Sequence, residues 1–372
     1  MGRMMARVGL NPGDRMIVKI GTSSLVGPTG DPDEQRLALL CDEVAHLRDE
    51  GIQPIVVSSG AIAAGLQPLG LDTRPADIPG LQAAAAVGQG RLHRIYSRLF
   101  AERRITAAQL LLTRYDFMNR QHYINARNTI DRLLALGVLP VVNENDTVAV
   151  DEIRFGDNDR LAALVANLTG AALLVLLTDS PGVYSADPRK VPDAELLDEI
   201  ERITPELERG AGGRGSELSS GGMASKLAAA WVSTFSGVPA VVASSSEPGI
   251  LGRVAAGDSV GTYFHARRKR TSARRLWIAF AQPPRGTVVV DKGARQALVE
   301  GKRSLLPAGV VEVLGNFEVG ATVDVMTPDS GLVARGTVRY ASSELEDAKG
   351  RPASEFAGRE VIHRDQLVVL ED

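Results

Sequence analysis

The chain has 372 residues, with 42 Lys and Arg against 45 Asp and Glu and a formal net charge of −3. At ~150 residues per domain this length accommodates two or three domains. A composition of 44% hydrophobic and 23% charged residues is that of a folded protein and excludes a disordered one. The single cysteine, Cys41, excludes an internal disulfide framework and a CxxC zinc site, and fits a reducing cytoplasm. Residues 1–14 carry no apolar signal core, and the longest apolar run, 171–177, is far too short to span a bilayer, so neither secretion nor a membrane association is expected.

Residues 15–20 (RMIVKI) predict a strand ending at Gly21. Asp31 reads as a helix N-cap, with Pro32 at the first helical position and Glu34 three residues after the cap. Leu37, Leu40, Cys41, Val44 and Leu47 follow at helical spacing, and Gly51 closes the helix. Cys41 is thereby a core residue, not a nucleophile. Residues 53–57 make the next strand. A helix with the stripe Tyr123, Ile130, Leu133 and Leu134 ends at Gly137 and feeds a strand at 138–142. Residues 159–168 read as helix, 171–177 as a buried strand, 223–235 as helix and 240–243 as strand. Near-continuous apolar strands separated by helices imply an α/β domain, a mostly parallel sheet sandwiched by helices. In such sheets ligands bind beyond the carboxyl ends of the strands.

After residue 265 the texture changes. Arg267-Arg268-Lys269-Arg270 and Arg274-Arg275 form a basic run without interleaved aromatics, read as a solvated linker. Short β-rich stretches follow at 287–290, 310–314, 322–326 and 333–340. The expected division is an α/β domain over 1–265, a basic linker over 266–284 and a small β-rich domain over 285–372. Residues 276–372 hold 11 of the 42 basic and 14 of the 45 acidic residues, so the net −3 belongs to this tail.

The strand ends carry the chemistry. Lys19 inside an apolar strand is costly unless its ammonium meets an anion, and Gly21 after it leaves room for a phosphate. A lysine at a strand edge reaching to water is the blander alternative. Ser58-Ser59-Gly60-Ala61, after the strand PIVV, offers free backbone N–H groups at a helix start, or else a tightly packed helix that needs small residues for clearance. Asn143-Glu144-Asn145-Asp146-Thr147 and Phe155-Gly156-Asp157-Asn158-Asp159 are dense polar clusters. They can grip a zwitterion or ligate a divalent ion through oxygen, and spacing alone does not separate the two. Thr178-Asp179 ends the buried strand. Six glycines fall within 210–222, before Met223-Ala224-Ser225-Lys226, which places Lys226 in the first turn of a helix. The helix dipole disfavours a cation there, so a bound anion is the natural compensation.

Several chemistries are excluded. Gly210, Gly212 and Gly215 match GxGxxG, but no strand precedes them, so a dinucleotide fold is not supported. No GxxxxGK[ST], HRD or DFG occurs. The five histidines (His46, His93, His122, His265, His363) are scattered, which removes support for a metal hydrolase or a catalytic triad. Two lysines from opposite ends of an α/β domain, glycine-rich loops and an acid/amide cluster suit phosphoryl transfer, which mainly needs positioning and cations around the equatorial oxygens. A carboxylate acceptor is already ionised at neutral pH and needs no general base.

The segments VKIGTSS (18–24), VSSGAIAAG (57–65), QAAAAVGQGRL (82–92), NENDTVAVDEIRFGDND (143–159), LLTDSPGVYSADPR (176–189) and SGGMASK (220–226) resemble the glutamate 5-kinases of the amino acid kinase family. The stretch 286–320 resembles the C-terminal PUA domain that many of these enzymes carry. The resemblance implies ATP, with Mg²⁺ carried on its phosphates, and L-glutamate as substrates. It implies that Lys19 and Lys226 neutralise the transferring phosphoryl group while Asp159 orients them. Ser59, Asp146 and Asn158 would hold glutamate. Lys19, Gly21, Thr178, Asp179, Ser220, Gly221, Gly222, Met223, Ala224, Ser225 and Lys226 would hold the nucleotide. The family often has TGGMSTK where this chain has SGGMASK; Ser220 keeps a hydroxyl and Ala224 is small, so the assignment stands. A homo-oligomer, dimer or tetramer, is expected on the same ground. The rivals are a kinase of the same fold for acetylglutamate or aspartate, and an RNA-binding protein acting through the PUA-like tail, whose net negative charge argues against it.

Overall fold

A computed structural model of the chain describes residues 7–27, 31–148, 158–201, 203, 207, 222–267, 284–329 and 331–371. The chain divides into two compact units, Met1–Arg270 and Thr271–Asp372. Most of the basic run, from Arg268 to Arg275, lies outside the described residues.

The first unit is built on β1 (Arg15–Ile20), β2 (Gln53–Val57), β3 (Ala107–Leu112), β4 (Leu139–Glu144), β5 (Leu173–Thr178), β6 (Glu199–Ile200), β7 (Ala240–Ser244) and β8 (Thr262–Phe264), in the sheet order β3-β4-β2-β1-β5-β7-β8-β6. Every pairing is parallel except β7 with β8. The helices are α1 (Thr22–Leu25), α2 (Glu34–Asp49), α3 (Ala61–Leu66), α4 (Ile78–Glu102), α5 (Arg120–Ala135), α6 (Asn158–Thr169), α7 (Met223–Phe235) and α8 (Ile250–Ala256).

Alternation along β1 sorts its side chains between two layers. Met16, Val18 and Ile20 join a core with residues of α2, α4 and α8, whereas α6 packs on β1 and receives Lys19 through Asp159. β1 is central, so its carboxyl end is walled by β2 on one side and β5 on the other. The chain leaves β1 toward β2, then returns to its far side for β5. That reversal is where an α/β sheet opens a crevice.

Two local readings change. Asp33, not Asp31, caps α2: its carboxylate accepts from the N–H groups of Gln35 and Arg36, both at 3.1 Å. Asp31 instead accepts from Arg91 at 2.7 Å, and Pro32 sits in a bridge with Val26 before the helix begins. The 25-residue helix α4 and the edge strand β3 add to the predicted elements. Asp77 caps α4 through the N–H of Gly80 at 2.8 Å.

Helices α3 and α4 cross at backbone contact. A Cβ added at Gly88 would lie 1.8 Å from the carbonyl oxygen of Ala61, and one at Gly65 would lie 1.9 Å from that of Ala84. The small residues after Ser59 therefore serve clearance, as the blander reading of that segment held.

The second unit is a five-stranded sheet ordered β10-β9-β11-β12-β13, from β9 (Gly286–Val290), β10 (Val310–Leu314), β11 (Thr322–Thr327), β12 (Gly331–Thr337) and β13 (Leu367–Val369). It also carries α9 (Lys292–Val299) and α10 (Ser342–Ala348). Only β9 with β11 pairs parallel. Its hydrophobic core includes Val288, Val290, Leu298, Phe317, Val323 and Val325. Across β11 and β12, directly paired Asp324 and Arg335 form a buried ion pair of 2.7 Å.

Candidate active site

The crevice at the carboxyl ends of β1, β2, β4 and β5 holds a cavity of ≈ 150 Å³. Its walls come from the residues that end these strands and from the first turns of α6 and α7. Lys19, Gly21, Ser59, Asp146, Asn158, Thr178 and Lys226 all line it.

At its base two lysines share one carboxylate. Asp159, fully buried at the start of α6, pairs with Lys19 through Oδ1 and with Lys226 through Oδ2 at 3.3 Å. Ser225 donates its hydroxyl to the same Oδ2 at 2.9 Å. Burial alone would raise the Asp159 pKa, but the two ammonium groups and these hydrogen bonds hold the carboxyl below the usual range. It is therefore ionised, and its place in the first turn of α6 suits the helix dipole. The anion that Lys19 and Lys226 each required is built in.

Gly60 forms the turn between β2 and α3 with φ +93°, a left-handed conformation that L side chains rarely adopt. This turn directs Ser59 to the cavity. The Ser59 Oγ is buried and has no hydrogen-bond partner among the described residues. A buried hydroxyl without a partner costs free energy that a bound ligand can restore.

A hydrogen-bonded chain supports the turn from behind. Asn158 Nδ2 donates to the Ser58 carbonyl and to Asn143 Oδ1. Asn143 donates in turn to Gln89 on α4 at 2.7 Å, and the Ser58 hydroxyl meets the buried Tyr96 hydroxyl at 3.0 Å. Tyr96 carries no motif of its own, and Gln89 lies in the 82–92 segment that resembles the family, where the resemblance assigns it no role. Their α4 spacing places Leu92, Tyr96 and Leu99 on one buried face, and only the fold shows that this face reaches the site.

Asp146 lies just after β4, and burial pushes its pKa up to about 6, while Arg74 pulls it down. Arg74 also lines the cavity. It stands in a loop without periodicity, and no signal in the sequence marks it. Thr178 donates to Asp179 at 3.0 Å, while Ser245 beyond β7 donates its N–H to the Thr178 carbonyl at 2.7 Å.

Gly222, Met223 and Ala224 begin α7 beside Lys226. Ser220 and Gly221, the glycines of 210–215, and Phe155-Gly156-Asp157 lie outside the described residues. Cys41 is buried in the core, where burial raises its thiol pKa to about 12. Among the described residues no group of three or more His, Cys, Asp or Glu is placed to hold a metal ion. No described helix is long and apolar enough to cross a membrane.

The model of the amino acid kinase family matches residues 14–244, the span that contains every wall of this cavity. The chain belongs to the amino acid kinase family. A PUA domain model matches residues 286–358 of this amino acid kinase. Among curated relatives, the glutamate 5-kinase of Geobacter sp. (strain M21) is 48% identical over 96% of this chain and 97% of its own length. That of Moorella thermoacetica is 43% identical over 98% of both chains. That of Methylobacillus flagellatus is 46% identical over 95% of this chain and 97% of its own.

Proposed function

We propose that this amino acid kinase transfers the γ-phosphoryl group of ATP to the γ-carboxylate of L-glutamate, forming L-glutamyl 5-phosphate and ADP, the first step of proline biosynthesis. The observation that carries the reading is the pair of buried lysines held on Asp159 at the wall of the cavity. The bond between the γ-phosphorus and the ADP oxygen breaks, and one forms to a carboxylate oxygen of glutamate. No proton needs to move, which agrees with the absence of a histidine among the described residues that line the site.

Lys19 and Lys226 act on the phosphoryl oxygens, where charge is redistributed during transfer. Asp159 orients both ammonium groups. Ser59, Asp146 and Asn158 hold glutamate, with the unpartnered Ser59 hydroxyl as a specific support. Gly21, Thr178, Asp179 and the 220–226 segment hold ATP. A Cβ at Gly21 would lie 3.9 Å from Lys19 Nζ, so the space beside this ammonium stays open. Mg²⁺ would come bound to the phosphates of ATP and would neutralise part of their charge. A cytoplasmic homo-oligomer, dimer or tetramer, completes the reading on the family's resemblance. The same holds for the division into a catalytic domain over 1–265 and a PUA-like domain over 285–372.

The test supplies purified protein with MgATP and a panel of acids, trapping acyl phosphate with hydroxylamine. Glutamate hydroxamate is the expected product. Trapped product from acetylglutamate or aspartate, and none from glutamate, would overturn the substrate.

A further inference from the structure

We infer that Arg74 binds the α-carboxylate of the acceptor, so that Arg74 and Asp146 together read the α-amino acid end of the substrate. The inference rests on the proposed glutamate reading and adds to it the residue that recognises a carboxylate which does not react.

Among the described residues, the charged ones lining the cavity are Lys19, Arg74, Asp146 and Lys226. They fall into two electrostatic groups. Lys19 and Lys226 act on Asp159, and Arg74 is the charge that acts on Asp146. Glutamate brings three charges to this cavity. Its γ-carboxylate must meet the phosphoryl group at the lysine cluster. Its ammonium suits Asp146, whose burial is otherwise uncompensated enough to raise its pKa to about 6. The α-carboxylate then needs a cation separate from the two lysines, and Arg74 supplies one among the described residues of the wall. A guanidinium suits the task, since its planar fork can engage both oxygens of a carboxylate. A cation beside an anion is also the complement of an α-amino acid zwitterion.

The loop that bears Arg74 is held in place. Pro75 restricts the backbone of Arg74 to extended conformations. Pro75 packs so closely on the first turn of α4 that a Cβ at Gly80 would lie 2.7 Å from its own Cβ. Two residues on, Asp77 caps the same helix. The guanidinium therefore projects from an anchored stem.

The test measures kcat and KM with L-glutamate and with its α-amide, which keeps the ammonium and the γ-carboxylate but loses the α-carboxylate charge. With wild-type protein the α-amide should show a KM about 10- to 100-fold higher, as expected for losing a charge-assisted bidentate contact. Arg74→Ala should raise the glutamate KM by a similar factor, with a much smaller change in kcat and in the KM for ATP. On the α-amide, Arg74→Ala and wild type should coincide, and Arg74→Lys should recover part of the glutamate affinity. An unchanged glutamate KM in Arg74→Ala overturns the inference, and so does an equal loss on both substrates, the mark of a merely structural residue. Wild-type protein that fails to phosphorylate glutamate at all would instead sink the underlying substrate reading.

Discussion

Asp146→Asn should make the substrate-free protein more stable at pH 7.5 while weakening glutamate binding. The carboxyl of Asp146 is raised to about 6 by burial, with Arg74 offsetting only part of the effect. Its proton is thus held more tightly in the folded chain than in the unfolded one, where an aspartate ionises near pH 4. Ionising Asp146 costs folded stability, beginning near pH 4 and complete above about pH 6. A difference of about two pK units corresponds to at most about 3 kcal/mol. A neutral Asn escapes this cost, so the expected gain at pH 7.5 is about 1–3 kcal/mol, or about 2–6 °C in Tm for a unit of this size. The gain should shrink as pH falls through 6 and vanish near pH 4. Denaturant or thermal unfolding of both proteins at pH 7.5, 6 and 5 measures it. In parallel, kcat/KM for glutamate in wild type should fall about tenfold per pH unit below about 6, as the free-enzyme carboxylate is lost, and Asp146→Asn should flatten that limb. A variant less stable than wild type at pH 7.5, or a stability difference that ignores pH, would refute the electrostatic account of this residue.

Other expectations follow from geometry. Lys226→Ala should lower kcat by about 10²–10⁴-fold with little change in the glutamate KM, because its charge acts on the phosphoryl group during transfer; a raised KM with unchanged turnover would remove that role. Gly88→Ala drives a Cβ to 1.8 Å from the Ala61 carbonyl, so it should cost about 3 kcal/mol or more and raise the glutamate KM, since α3 carries the Ser59–Gly60 turn; a Tm within a degree of wild type would contradict the backbone contact. Asp324→Ala removes the buried carboxylate that pairs with Arg335 in the second unit and should cost about 3–5 kcal/mol. Replacing both partners by Leu should cost far less, and equal losses in the two variants would speak against the broken ion pair as the cause.

The parts of this molecule that were legible in its sequence are those where one residue type answers a local demand. β1, α2, α6, α7 and β5 announce themselves through apolar runs and periodic stripes, and their bounds match the expected ones to within a few residues. Lys19 and Lys226 stood out because each is a cation in a place that disfavours one. Spacing alone does not disclose that a single carboxylate, Asp159, answers both lysines, because that depends on three elements converging from positions far apart in the chain; only the family resemblance points to it. The helix cap slipped by two residues because Asp31 and Asp33 are equally good acceptors, and only the pull of Arg91 on Asp31 decides between them. The roles of Arg74, Gln89 and Tyr96 are hidden for a related reason, although Gln89 lies within the 82–92 segment that resembles the family. An exposed loop arginine and a polar residue on a long helix look ordinary until the sheet brings strand ends beside them.

The crossing of α3 and α4 also bears on how this chain can change over time. Most tight contacts have an escape: a residue that grows on one side can be accommodated by one that shrinks on the other. Here Gly65 and Gly88 already lack side chains, and the atoms they meet are backbone carbonyls. No second substitution can make room for a first. Random mutagenesis or redesign of the active-site turn should therefore leave both positions alone, and a search for altered acceptor specificity is better spent on Arg74, whose side chain can be exchanged while Pro75 and Asp77 keep their hold on α4.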